Sequence, residues 1–359
     1  MHVLATQLAT LDEADAAIDL GQSPAEVVVL SFSDSDLSAL SEAWQQDAAS
    51  LPTLRLASLK KLRHPMSVDL YVERVVAQAR VVIVRGLGGL DYWRYGFERI
   101  GDIARDNGVL FAALPGDDRA DPRLASVSTL AAEPLARLEQ FFREGGTGNL
   151  RQALHYVATL LGRDNAWMPP VPVGPIAGFT LDRRIVQVAE FDLTGDSRPS
   201  ALVVFYRANL MAGDVAPISA LLEALDREGL APMAVAVNSL KDPAIEADLA
   251  HLVRVRKPAI ILNTTAFSAL RADDTTVLDV ADVPVLQVVL AGSTRDGWET
   301  SPRGLSPSDL AMNVVLPELD GRLLTRAISF KAEAPADPRL EFAAVRHAPD
   351  SGRIGYVAR

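Results

Sequence analysis

Short apolar runs alternate with helix-period segments along most of the chain. "EVVVLSFS" (residues 26–33) is followed by "DSDLSALSEAWQQDA", where Asp34 or Asp36 stands at the position of a helix cap. "SVDLYVERVVAQA" places Val68, Tyr71, Val72, Val75 and Val76 at helical spacing, and it runs into "RVVIVR" (80–85), a buried-strand pattern. "YWRYGFERIGDIARDNG" predicts a helix stopped at Gly108, and "VLFAALPG" the next strand. The order βαβα implies a parallel sheet covered by helices on both faces.

Two helices are expected in "AAEPLARLEQFFREGG" and "NLRQALHYVATLLGR", then an exposed connection in the Pro- and Gly-dense "WMPPVPVGPIAGF" (167–179). The alternation then resumes. "SALVVFYR", "PMAVAVNS", "PAIILNTT" and "VPVLQVVLAG" read as strands, and "DVAPISALLEALDREG" and "PAIEADLAHLVRVRK" as helices. The expected fold class is α/β: two flavodoxin-like, doubly wound parallel-sheet units joined by a helical region and a Pro/Gly-rich linker. The expected divisions are an N-terminal α/β domain over 1–130, a helical region and linker over 131–178, and a second α/β domain over 179–335. Residues 336–359 read as the start of a truncated further segment, because "DPRLEFAAVRHAPDSGRIGYVAR" offers strand-like fragments and no closing element.

Composition narrows the classes. A chain of 359 residues exceeds one ordinary domain, and 49% hydrophobic with 23% charged residues is the balance of a soluble globular protein. A net charge of -11 argues against a nucleic-acid partner, which needs clustered Lys and Arg. The absence of cysteine removes disulfides, thiolate catalysis and Cys-based zinc sites. "MHVLATQLATLDEADAAIDLG" lacks the basic start and apolar core of a secretory signal, and no run of about 18 apolar residues occurs. A soluble, cytoplasmic protein with no membrane partner is expected.

Candidate chemistry is sparse at first sight. No Gly-x4-Gly-Lys-Ser/Thr string exists to cradle phosphates. "VVIVRGLGGLDYWRYG" sets Gly86, Gly88 and Gly89 after a strand but has Asp91 where the dinucleotide pattern wants Gly or Ala, so it reads as a tight turn. ATP is not expected to be bound by this chain. His2, His64, His155, His251 and His347 are too scattered for a metal site, and no Gly-x-Ser-x-Gly elbow is present.

What remains are polar residues at the carboxyl ends of predicted strands, where open α/β sheets hold their ligands. "FYRANLMAGD" offers Arg207, Asn209 and Asp214, and "ILNTTAFS" offers Asn263, Thr264 and Thr265. "AGSTRDGWETSPRGLSPSD" is a long polar loop with Trp298 and Arg303, entering a helix capped by Ser306 or Ser308. Each can equally be a solvated loop with its capping residues. "PELDG" (317–321) reads as a strand end, with Pro317 fixing φ and Asp320-Gly321 making the turn. Its functional reading is that Glu318 accepts a proton or ligates a metal ion.

Longer strings carry a resemblance. "VVFYRANLMAGDVAPISALLEALDREGLAPMAVAVNSL", "ILNTTAFS" and "GWETSPRGLSPSDLAMNVVLPELDGRLLTRAISFKAE" strongly resemble the large subunits of aerobic cobaltochelatase (the CobN type). "LKKLRHPMSVDLYVERVVAQARVVIVRGLGGLDYWRYGFERI" resembles the N-terminal part of the same subunits. The related magnesium chelatase large subunits share the Pro-Glu-Leu-Asp-Gly element but are less similar elsewhere. One departure is "RGLGGL", where the family more often reads Leu-Leu-Gly-Gly and a basic residue.

The resemblance implies an ATP-dependent chelatase of cobalamin biosynthesis that inserts Co2+ into hydrogenobyrinic acid a,c-diamide. ATP and Mg2+ would be used by separate AAA+ ATPase subunits. Family members are much longer, so an N-terminal fragment is expected, inactive alone, with part of the metal site beyond Arg359. Within it, Glu318 and Asp320 are the expected catalytic residues and Glu318 the candidate metal ligand. Arg207 and Arg303 would pair substrate carboxylates, and Asn209 and Asn263 would bond its amides. Thr264, Thr265 and Asn313 would add contacts, and Trp298 would pack on the ring. The alternatives are a magnesium chelatase large subunit binding protoporphyrin, or a non-catalytic α/β ligand-binding or scaffold module.

Overall fold

In the computed structural model of the chain, residues 17–116, 121–188 and 196–359 are described. His2 and most of the N-terminal stretch read above lie outside them. The chain forms two compact units, one of residues 6–172 with 333–345, the other chiefly of 173–332 with 346–359.

The first unit is built on four parallel strands, β1 (Val27–Ser31), β2 (Leu54–Ser58), β3 (Val81–Gly86) and β4 (Leu110–Pro115), in the order β2-β1-β3-β4. The uninterrupted apolar runs follow from burial on both faces. Alternate residues of β1 enter different cores, Val27 and Val29 on one side and Val28 and Leu30 on the other. The helix Asp34–Asp47 is capped by the Ser33 hydroxyl, which accepts the Asp36 N–H at 3.2 Å, so the cap lies just ahead of the two aspartates expected to supply it. The helix Arg94–Asn107 stops at Gly108, whose φ of 69° is the left-handed stop expected there.

Two boundaries differ from expectation. The helices Ala132–Glu144 and Gly146–Leu160 bury Leu138, Phe141, Leu154 and Val157 in the same core as Val27 and Leu56, so 131–160 belongs to the first domain. The segment 333–345 also returns to this unit. Leu340 is fully buried there, and the buried Arg55 guanidinium donates to the Arg339 carbonyl at 2.7 Å and the Glu341 carboxylate at 2.9 Å. Leu340 gains about 2 kcal/mol from such burial, which the local sequence does not reveal.

The second unit carries eight strands in the order β12-β11-β10-β9-β7-β8-β5-β6. They are β5 (Ile176–Phe179), β6 (Ile185–Val186), β7 (Ser200–Tyr206), β8 (Ala231–Val237), β9 (Ile260–Asn263), β10 (Val285–Thr294), β11 (Leu323–Glu333) and β12 (Val345–Pro349). The pairs from β8 through β7, β9 and β10 to β11 are parallel, as expected. β5 and β6 add an antiparallel edge, so the sheet is mixed, and the Pro/Gly-rich linker ends as a strand of it. The final residues pack into the second unit. β12 takes the other edge, and the helix Ser351–Ala358, capped by Asp350, packs Ile354 and Ala358 into the core beside Leu225. Among the described residues no helix is long and apolar enough to cross a membrane.

Replacing Leu340 tests whether the returning segment is part of the first core. Leu340→Ala is expected to lower unfolding stability by about 2–4 kcal/mol in a urea titration, whereas a loose tether would show almost no loss.

Candidate functional site

Strand order in the second sheet runs outward in opposite directions from β7 and β9, which makes their carboxyl ends the crevice-forming point of the sheet. The segments after β9 and around the helix that starts at Pro307 meet there: the Phe267 N–H donates to the Met312 carbonyl at 2.8 Å. Ser306 caps that helix, as expected, accepting the Asp309 N–H at 3.0 Å, with Pro307 in the first turn, where its missing N–H costs nothing.

The helix is not regular. Pro307–Leu310 is α, Ala311–Val315 is a widened π turn, and Leu316–Glu318 is α again. The Leu316 N–H reaches back five residues to the Ala311 carbonyl. Pro317 explains the widening, since in a regular helix its ring would collide with the Asn313 carbonyl. Such turns recur at functional sites. "PELDG" therefore ends a helix rather than a strand, because the apolar residues ahead of it follow a helical period. The expected turn is present: Gly321 N–H bonds the Glu318 carbonyl at 3.0 Å, and Gly321 has φ of 71°.

Beneath this helix end lies a buried polar network. Asp320 accepts the Ser268 hydroxyl at 2.5 Å, the Ala269 N–H at 2.7 Å and an Arg322 guanidinium N–H at 2.5 Å. The Asp320 and Arg322 side chains are 1% and 2% exposed. Arg322 also donates to the Gln287 side-chain carbonyl at 3.1 Å. The Gln287 and Asn263 amides both donate to the Thr265 carbonyl, at 2.9 and 3.0 Å, and Asn263 donates to Gln287 at 2.9 Å. The Thr265 hydroxyl donates to the Asn263 side-chain oxygen at 2.9 Å, and the Thr264 hydroxyl to the Val204 carbonyl at 3.0 Å.

Withdrawing both ions from water costs several kcal/mol each, which only close geometry and further hydrogen bonds offset. Burial pulls the Arg322 guanidinium below its ordinary range, and Asp320 opposes the shift. The Arg322 Nε is buried with no hydrogen-bond partner among the described residues, a cost of about 1–3 kcal/mol that a site selected for stability alone would avoid.

Above the network the surface has a different character. Glu318 is exposed, and its spacing from Val315 and Leu319 puts the three side chains on one helical face. Val315 is 55% and Leu319 66% exposed, and Leu323 and Leu324 are exposed just beyond the turn. The helix end thus presents a carboxylate between uncovered apolar side chains. Among the described residues no three His, Cys, Asp or Glu side chains gather as a metal site, so Glu318 has no ready-made co-ligands.

The remaining expected contacts separate into buried and available groups. Asn263, Thr264 and Thr265 are buried and hydrogen-bonded within the network, and Asp320 is paired with Arg322. Arg207 donates to the Val173 and Gly174 carbonyls at 2.7 and 3.0 Å and so ties down the linker. Trp298 is half-buried and stacked internally, with the Phe330 ring at 5.2 Å and the Arg353 and Arg295 guanidinium carbons at 4.6 and 5.5 Å. Asn313 is buried and donates to Asp309 at 3.4 Å; Asp309 in turn accepts the Gly292 N–H at 2.9 Å. Asn209 is half-buried, and Arg303 is exposed with a guanidinium that makes no bond among the described residues. Gln287, Ser268 and Arg322 were not expected as members of the site. Gln287 had a signal, a single polar residue inside the apolar run "VPVLQVVLAG".

Asp214 anchors a second buried group. It accepts Lys331 Nζ at 3.0 Å and the His347 N–H at 2.8 Å, while His347 Nδ1 lies 3.2 Å from the Ser329 hydroxyl. Burial first, and then the Lys331 charge, push His347 down to about 4, with Asp214 opposing.

Fold and surface together define an α/β subunit that presents one acid on an apolar face at a sheet's crevice. The family model described as CobN/Magnesium Chelatase matches residues 139–359, and the chain belongs to that family. Over its full length it is 40% identical to the aerobic cobaltochelatase subunit CobN of a Sinorhizobium species and 38% identical to that of Pseudomonas aeruginosa, spanning 29% of each. The catalytic subunit of cobaltochelatase from Mycobacterium tuberculosis superposes on 92% of the chain with a TM-score of 0.67 and 27% identity; the match covers 26% of that subunit.

Two stability predictions follow from the buried groups. Arg322→Ala strands the Asp320 carboxylate and is expected to cost about 3–5 kcal/mol, while Asp320→Asn with Arg322→Met in one chain costs less than the two single losses summed. For His347, the unfolded chain takes up a proton near pH 6.5 that the folded chain refuses until about 4. Stability is full above pH 6.5 and falls towards pH 4, by up to about 3 kcal/mol. His347→Gln is expected to flatten that part of a urea-midpoint profile.

Proposed function

We propose that this chain is the portion of a cobaltochelatase large subunit that receives the tetrapyrrole and holds the carboxylate facing it. The reaction is ATP-dependent insertion of Co2+ into hydrogenobyrinic acid a,c-diamide during aerobic cobalamin biosynthesis. The observation that carries this reading is the identity of about two residues in five to cobaltochelatase subunits along the whole chain. Those relatives extend well beyond it, so the complete activity belongs to a larger assembly.

Metallation asks for two things from the protein. The ring nitrogens must give up protons, and the ion must exchange water for ring nitrogens. Glu318, exposed at the helix end, accepts a proton or lends an oxygen to the incoming ion. Val315 and Leu319 on either side offer apolar contact to a macrocycle face, and burying them recovers part of the exposure cost of these two side chains. The free Arg303 guanidinium suits a peripheral carboxylate, bidentately. Asp320, Arg322, Gln287 and Asn263 act by position, fixing the helix end so that Glu318 does not wander. Lacking a phosphate-cradling loop, the chain leaves ATP and its Mg2+ to separate ATPase subunits.

The test is made in a full-length subunit with its ATPase partners. Glu318→Gln is expected to slow cobalt insertion by about 100-fold or more while tetrapyrrole Kd stays within about threefold. Val315→Asp with Leu319→Asp should instead weaken tetrapyrrole binding. Unchanged insertion by Glu318→Gln would remove Glu318 from the chemistry.

A further inference from the structure

The glycine-rich turn after β3 has no part in the reading above, yet it borders a cavity. In the first sheet the strand order reverses between β1 and β3, the place where open α/β sheets take ligands. At the carboxyl ends of these strands lies a cavity of about 280 Å3, lined by Phe32, Arg63, Tyr92 and Trp93. Phe32 directly follows β1, Arg63 follows the turn after β2, and Tyr92 and Trp93 follow the glycine turn after β3. That volume lies just below the range of about 300–1,000 Å3 for drug-sized ligands, so only a small molecule fits.

The walls are prearranged. Phe32 is buried and meets Tyr92 edge to face, ring centroids 5.1 Å apart. The Trp93 indole N–H donates to the Leu62 carbonyl at 2.8 Å, which holds the loop carrying Arg63. Gly88 and Gly89 have φ of 73° and 75°, and the Leu90 N–H is held by Asp121 at 2.9 Å. A side chain at Gly89 would strike that same carboxylate, at 2.5 Å from its first carbon.

The polar groups at this rim do not balance one another. Carboxylates on the segments leaving β1 and β3 are paired: Asp34 with Lys60, Asp36 with Arg85, and Asp91 with Arg94 and Arg123. Arg63 and Lys61 are exposed and make no hydrogen bond or ion pair among the described residues, and the Tyr92 hydroxyl likewise has no partner there. In a chain of net charge -11, the Arg63 guanidinium beside the aromatic walls is a cation with no partner among the described residues. The short helical turn Leu90–Trp93 opens with Asp91, so a diphosphate on that turn would meet a carboxylate.

We infer that this cavity binds a small planar aromatic molecule carrying one anionic group, a carboxylate or a phosphate. The ring lies against Phe32, Tyr92 and Trp93, and the anion pairs with the Arg63 guanidinium. The experiment titrates the whole chain calorimetrically with 1-naphthoate, 1-naphthyl phosphate, inorganic phosphate and neutral 1-naphthalenemethanol. Saturable one-to-one binding is expected for at least one aromatic anion, and the tighter of the two identifies the anion as carboxylate or phosphate. Inorganic phosphate and the neutral alcohol should bind at least about tenfold more weakly. Arg63→Gln and Tyr92→Ala should each weaken the aromatic anion about fivefold or more, with circular dichroism unchanged, while Arg254→Gln in the other unit has no effect. The proposal is overturned if neither aromatic anion saturates, if the alcohol or phosphate alone binds equally well, or if Arg63→Gln leaves the affinity intact.

Discussion

A carboxylate and a guanidinium, both withdrawn from water, hold the end of the helix that begins at Pro307 against its sheet. Asp320 and Arg322 are two residues apart, separated only by the left-handed Gly321, and each reaches a different part of the fold. Asp320 grips the chain after β9 through Ser268 and Ala269, and Arg322 grips β10 through Gln287. Such a pair adds little net stability, and its loss strands a buried charge. Its value here is positional. The same few residues that bury the lock carry Glu318 outward, so the acid's backbone is fixed by buried groups.

This division explains which parts of the site were legible. Strand ends are written in the sequence as polar clusters after apolar runs, and Asn263, Thr264 and Thr265 do stand at the end of β9, whereas Asp320 follows a helix end rather than a strand end. Their direction was not legible, because a polar side chain at a strand end points inward or outward according to partners distant in sequence. Asn263 turns inward to satisfy Gln287, 24 residues further along. Trp298 read as a free ring, but Arg353 and Phe330 occupy its faces, and both follow it in the chain. Glu318 was found by motif resemblance, and its apolar neighbours became visible only when the helix placed Val315 and Leu319 beside it.

The fold was more legible than its boundaries. Period and caps gave β1, β3, β4 and β7 to β10 with most of the longer helices, including the stop at Gly108 and the cap at Ser306, but not β2, β5, β6 or the helix Ser351–Ala358. Domain membership depended on single buried side chains instead. Leu340 returns 333–345 to the first core, and Ile354 returns the last helix to the second, although the intervening sequence looks like an unfinished segment. The Pro/Gly-rich stretch after Trp167 looked like a linker but ends as β5, an antiparallel strand between β8 and the edge strand β6 that a short apolar run with prolines does not announce.

The central claim is that the exposed Val315–Glu318–Leu319 face receives the macrocycle. The most direct measurement places a photoreactive benzophenone amino acid at position 319 of a full-length subunit and irradiates it with bound hydrogenobyrinic acid a,c-diamide. The account predicts a covalent adduct to the tetrapyrrole from position 319 and none from the equally exposed position 356. Efficient crosslinking from 356, or none from 319 while the tetrapyrrole remains bound, would contradict it.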